Sequence, residues 1–271
     1  MFWPPRSDAT EYIALATEVG RAFHTLLPGE RLIGPATAGI DFDFLEACFK
    51  ADLETSWSAI SVHPYRQNDP GTAATEYARL RELIKSHQSE GGAIISSEWG
   101  YSAAWSHMNE ESQAVMLTRE FLTNVANGIQ ISIWYDWRDD GDDPNEPEDH
   151  FGLVRNAYRS GQTQAYDPKP AYLAAQTLAK VLGGYRFQER LSVGSADDYL
   201  LVFVKDSERR FVAWTSSPGG RQVTIDKIAN NLASQYSVVT AQGENAAGIG
   251  PTSGALNLEL TPAPKYLIPI H

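Results

Sequence analysis

Apolar positions along this chain follow one rhythm up to about residue 183 and another after it. In the first part, stretches with helical spacing alternate with short continuous apolar runs. Tyr12, Ile13, Leu15, Ala16, Val19, Phe23 and Leu27 recur at helical spacing behind a cap at Ser7 or Asp8, and Pro28-Gly29 ends that helix. A short strand is expected over 31–36, a helix over 41–53 and a second strand over Ala59–His63. Pro70-Gly71 opens a helix through Tyr77, Leu80, Leu83 and Ile84, and 93–97 reads as the third strand. Residues 110–127 form a strong helical pattern with Val115, Leu117, Phe121, Leu122 and Val125 on its apolar side and Gly128 at its C-terminal cap. A fourth strand over 129–134, a long acidic loop and a helix over Pro170–Leu182 follow.

That alternation implies an α/β fold with parallel strands joined by helical crossovers. Four strand–helix units do not close an eight-stranded barrel. After Gly183-Gly184 the chain reads as short strands at 185–191, 199–205, 211–215, 223–225, Tyr236–Thr240, 256–260 and 266–270. Turn residues such as Ser217-Pro218-Gly219-Gly220 separate them. This is the pattern of an antiparallel β-sandwich. The expected domains are therefore 1–183 and 184–271.

Composition narrows the partners. The net charge is −12 with no basic cluster, which disfavours nucleic acid. Seven Trp and twelve Tyr suit the faces of neutral polyols, but composition alone favours large core residues in an acidic, well-solvated chain. The single cysteine, Cys48, forbids an intrachain disulfide and sits in an apolar pattern, as a buried structural thiol would. No run approaches membrane-spanning length, and the start lacks the basic and apolar regions of a signal peptide. As written the chain is expected to be cytoplasmic, or extracellular if it is a fragment of a secreted parent. No cofactor is expected. The acidic stretch around Glu148-Asp149-His150 lacks the spacing of a calcium loop, so no metal is expected either.

The candidate chemistry lies at three successive strand ends, where parallel α/β architectures bind ligands. They carry His63-Pro64-Tyr65, then Glu98-Trp99-Gly100-Tyr101, then Trp134-Tyr135-Asp136-Trp137 with Asp139-Asp140-Gly141. Glu98 directly follows a buried strand, the position of a nucleophilic carboxylate; the plain alternative is a surface glutamate. Tyr65 is placed to donate to it from the neighbouring strand. His63 is read either as a donor to a sugar hydroxyl or a carboxylate, or as a satisfied strand-end histidine. Trp134 and Trp137 either stack on a sugar ring or pack at the rim. Asn145-Glu146-Pro147 follows a polar loop and reads as a chance match to an acid/base signature.

These elements together resemble glycoside hydrolase clan A. The resemblance rests on Phe2-Trp3-Pro4-Pro5, His63-Pro64-Tyr65, Ser97-Glu98-Trp99-Gly100-Tyr101, Ile133-Trp134-Tyr135-Asp136-Trp137, Phe151-Gly152-Leu153 and Lys169-Pro170-Ala171-Tyr172. The cellulase-like and β-xylosidase-like barrels with a β-sandwich appendage are most similar. The resemblance implies a retaining double displacement on a β-linked glycoside, with Glu98 as nucleophile, Tyr65 beside it and His63 in support. It implies a substrate-binding surface from Trp99, Tyr101, Trp134, Tyr135, Asp136 and Trp137. It also implies that this chain is a half TIM barrel, strands five to eight, and that the acid/base glutamate belongs to strands not present here. Open barrel edges are costly and sticky, so self-association into a dimer that covers them is expected. The competing reading is a carbohydrate-binding or structural remnant without turnover.

Overall fold

The computed structural model describes residues 8–87, 92–156, 167–226 and 232–270. The Phe2-Trp3-Pro4-Pro5 element and Ser7 lie outside the described residues. The chain divides into two compact units. One comprises 1–68, 72–99 and 127–134, and the other 69–71, 100–126 and 135–271.

The first unit is a four-stranded parallel sheet with its helices. Helix α1 (Ala9–Leu26) is capped by Asp8, whose carboxylate accepts from the amides of Thr10 and Glu11. Strand β1 (Ile33–Ala38) follows, then α2 (Phe42–Lys50), capped in the same way by Asp41. The helix expected over 41–53 is shorter because Asp52 adopts φ 59, which breaks it before a 3₁₀ turn at Leu53–Ser56. Strand β2 (Ala59–His63) leads through a 3₁₀ turn to α3 (Ala73–His87) and β3 (Ala93–Trp99). Strand β4 (Ser132–Trp134) completes the sheet in the order β1-β2-β3-β4, every pair parallel.

The bounds of β1 and β4 differ from the sequence reading. β1 begins two residues later than expected and takes in Pro35. A proline is tolerated there because β1 is an outer strand, and the ladder slips between Pro35 and Thr37, where Ala36 has φ 64. β4 keeps only its last three expected residues; Ile129 is buried but lies outside the ladder. The core is built from Leu45, Cys48, Phe49, Ile60, Val62, Tyr77, Leu80, Ile84, Ile94 and Ile95, all buried. Cys48 is thus the structural thiol its pattern implied. Burial, with smaller contributions from Asp41 and Glu54, pushes that thiol up to about 11.

The second unit holds α4 (Glu110–Ala126), the paired strands β5 (Val154–Arg155) and β6 (Asp167–Pro168), and α5 (Pro170–Leu182). The β-rich part follows. It consists of β7 (Arg186–Arg190), β8 (Asp198–Lys205), β9 (Glu208–Thr215), β10 (Arg221–Asp226), β11 (Tyr236–Thr240), β12 (Asn245–Ile249), β13 (Ala255–Leu260) and β14 (Lys265–Pro269). A six-stranded antiparallel sheet runs β12-β11-β14-β9-β8-β7, and β10 pairs with β13. Strand alternation divides this sheet's side chains. Leu200, Val202, Phe211 and Ala213 join Val223, Ile225, Leu256 and Leu258 in one core. Leu201, Phe203, Val212 and Trp214 pack with Leu122, Val181 and Leu182 of α4 and α5 in the other. Arg119 of α4 is buried and donates to the carbonyls of Thr215 and Pro262 and to Asp69, fixing the helix to this sheet.

Candidate active site

Three of the expected site residues meet in the first unit. The phenol of Tyr65 donates to Glu98 Oε1 at 3.0 Å. His63 places Nδ1 3.8 Å from Glu98 Oε2, while its Nε2 is 2.9 Å from Ser97 Oγ. Ser97 in turn lies 2.5 Å from Ser61 Oγ. The sequence reading did not single out either serine. The signal was present, because Ser61 and His63 are two apart on β2 and therefore share a face.

The backbone explains why these groups converge. β2 and β3 are adjacent and parallel, so their C-terminal ends lie side by side. The loop after β2 is fastened by Arg66. Its guanidinium donates to Pro64 O at 3.0 Å, Thr72 Oγ1 at 3.0 Å and Glu76 Oε2 at 2.6 Å. The same group lies 5.3 Å over the ring of Trp99. Tyr65, one residue before this anchor, is thereby held toward β3. β3 runs two residues beyond its expected end, so Glu98 stands in the strand itself, with its side chain 40% exposed.

The strand's extension also places Trp99, which is fully buried. The sequence reading put Trp99 on a sugar-binding surface; here it offers none and supports Arg66 instead. Trp134 is half-buried and pairs with Trp99 across β3 and β4.

The remaining candidates belong to the second unit. Tyr101 is fully buried, packs edge-on against Trp105 at 5.8 Å, and its carbonyl accepts from Gln113. It too presents no surface to a ligand. A side chain at Gly100 would meet Tyr135 O at 1.9 Å, so the chain passes here only as glycine. Tyr135 packs on Phe151 and its hydroxyl is 3.4 Å from Glu148 Oε2. Trp137 is exposed and meets Tyr172 edge-on at 6.0 Å. The carboxyl of Asp136 is pushed up to about 6, by burial first and then by Asp140 and Asp139, with Lys169 opposing.

Asp139 and Lys169 form a buried ion pair that the sequence reading had not paired. Lys169 Nζ is 2.9 Å from Asp139 Oδ1 and 3.1 Å from His150 O, and Gly152 N donates to the same carboxylate oxygen. Glu146, in the Asn-Glu-Pro match, is exposed and caps the 3₁₀ turn Pro147–His150, which agrees with reading that match as a loop. Among the described residues, no group of three or more His, Cys, Asp or Glu side chains could hold a metal ion. Also among them, no helix is long and apolar enough to cross a membrane.

No family model matches this sequence, and no curated protein does. Solved structures do. A family 39 glycoside hydrolase from the gut symbiont Bacteroides cellulosilyticus WH2 superposes with a TM-score of 0.83 at 24% identity, covering 98% of this chain and 56% of its own. A GH39 β-xylosidase from Caulobacter crescentus gives 0.62 at 15% identity, covering 97% and 62%. A GH30 endoxylanase from Clostridium papyrosolvens C71 gives 0.63 at 12% identity, covering 97% and 61%. The chain therefore spans little more than half the length of the first of these, and what it shares with all three is the fold of glycoside hydrolases.

Proposed function

We propose that this chain carries the nucleophile side of a retaining glycoside hydrolase acting on β-linked glycosides. The observation behind the proposal is Glu98 at the C-terminal end of a parallel strand, with the Tyr65 phenol at 3.0 Å and His63 Nδ1 at 3.8 Å. A carboxylate so held is oriented for attack. The solved neighbours support the reading, since they are glycoside hydrolases and two are named for action on xylosides or xylan. Trp134, half-buried at the end of β4, is the aromatic face proposed to receive a sugar ring.

Retaining chemistry needs a second carboxyl about 5.5 Å from the first, to protonate the leaving oxygen. The resemblance puts that acid in strands this chain does not contain, and the chain covers 56% of the first neighbour. A second reading is a sugar-binding remnant with little turnover. General acid catalysis is worth about 10²–10⁴-fold, so activated aryl glycosides are the substrates on which the two readings separate. Turnover of an aryl β-glycoside panel that vanishes in Glu98→Gln supports the nucleophile. Sugar binding without turnover, unchanged in Glu98→Gln, supports the remnant. Covering the open sheet edges by pairing two copies is the arrangement expected from the sequence.

A further inference from the structure

The geometry points to Ser61 as a positioning residue: acting through Ser97, it keeps the proton of a neutral His63 on Nδ1, the ring nitrogen that faces Glu98. Its effect on the reaction rests on the reading of Glu98 as nucleophile, while its effect on the ring does not. The strand register brings the three side chains together. Val62 pairs with Ser96, so the next residues, His63 and Ser97, stand side by side on adjacent parallel strands. Ser61 shares the face of His63, because side chains alternate along a strand. Ser97 Oγ is 2.5 Å from Ser61 Oγ and 2.9 Å from His63 Nε2, so it bridges the two.

Proton counting fixes the direction of these contacts. A serine hydroxyl has one proton to give and lone pairs with which to accept. Ser61 is 1% exposed, and Ser97 is the one hydrogen-bond partner of its hydroxyl among the described residues. Its proton goes to Ser97, because a buried donor left without an acceptor is costly. Ser97 then gives its own proton to Nε2. A ring nitrogen that accepts carries no proton, so the neutral imidazole holds its proton on Nδ1. The other side of the ring agrees. Nδ1 is 3.8 Å from Glu98 Oε2, longer than a hydrogen bond, so the sign of the contact decides. An N–H turns its positive end to the carboxylate, and a bare lone pair turns its negative end. The opposite tautomer leaves the buried Ser61 proton without an acceptor and sets a lone pair against Glu98. In the favoured one each oxygen of Glu98 faces a donor, the Tyr65 phenol at Oε1 and the imidazole N–H at Oε2.

The test reads the imidazole nitrogens directly, by proton–nitrogen correlation spectra of the labelled whole chain with its histidines neutral. The chain has six histidines, and the signals that vanish in His63→Gln are those of His63. The expected result is a protonated Nδ1 and a bare Nε2. Ser61→Ala removes the buried donor, and the ratio of the two tautomers is expected to move about tenfold toward the Nε2–H form, with the fold unchanged by circular dichroism. On an aryl β-glycoside, kcat/KM of Ser61→Ala is expected to fall by the share of the Nδ1–H form that is lost. A proton on Nε2 in the unaltered chain overturns the proposal, as does a tautomer ratio that stays the same in Ser61→Ala. A shifted ratio with unchanged kcat/KM removes Ser61 from the reaction. An unaltered chain with no turnover sinks the Glu98 reading instead, and the nitrogen signals then decide the role of Ser61 on their own.

Discussion

The Tyr65 phenol reaches Glu98 Oε1 at 3.0 Å from the neighbouring parallel strand, so one turn after β2 and one strand end after another build a single site. A hydrogen bond to a charged group contributes about 1.5–3 kcal/mol. If the carboxylate attacks, Tyr65→Phe lowers kcat/KM on an aryl glycoside by about 10–100-fold with the fold intact. Steady-state kinetics alongside a thermal melt check this. Unchanged kcat/KM would remove the phenol from the chemistry.

Glu120 on α4 is fully buried, and neither carboxyl oxygen has a hydrogen-bond partner among the described residues. Burial alone holds its carboxyl well above the usual carboxylate range. The unfolded chain releases this proton first, near the ordinary glutamate value. Stability from this group is therefore fully present below about pH 4 and is lost as the pH rises toward the folded value, by up to about 1.4 kcal/mol per pH unit. Glu120→Gln is expected to flatten that slope and to raise the urea midpoint at pH 7. A midpoint series from pH 4 to 8 reads both effects.

Lys169 and Asp139 are both buried, at 2.9 Å. Lys169→Met leaves Asp139 buried without its cation, held by the Gly152 amide, and is expected to cost about 3–5 kcal/mol. Adding Asp139→Asn to that variant is expected to recover part of the loss. Urea unfolding of the two single variants and the double variant closes the cycle.

Arg119→Lys is expected to cost about 2 kcal/mol or more. A lysine cannot reproduce the planar fork that reaches Thr215 O, Pro262 O and Asp69 together. Urea denaturation measures the loss, and a change within about 0.5 kcal/mol would show that the clamp is dispensable.

The elements that were legible in the sequence are those whose side chains are buried at a regular period. Ala59–His63 is buried on both faces up to its last residue and its bounds match the sequence reading, as do those of Pro170–Leu182 between a proline start and a double-glycine stop. β12 was missed because Asn245-Ala246-Ala247-Gly248-Ile249 is an exposed outer strand with almost nothing to bury. β5 and β6 are two residues each, too short to carry a period. In the site, strand ends were legible and burial was not. Trp99 and Tyr101 flank a glutamate as sugar-stacking residues would, but the two extra residues of β3 and the Arg66 anchor put Trp99 inside. The pairing of Asp139 with Lys169 spans thirty positions, and no local pattern encodes it.

The contacts from Ser61 through Ser97 to His63 have a direction. With the imidazole neutral and its proton on Nδ1, facing Glu98, Nε2 accepts from Ser97 and Ser97 accepts from Ser61. With the ring proton on Nε2 instead, the imidazole donates to Ser97, so Ser97 turns its hydroxyl toward Ser61 and Ser61 turns away. The tautomer of a side chain at the mouth of the sheet is then written as the orientation of a hydroxyl buried within it.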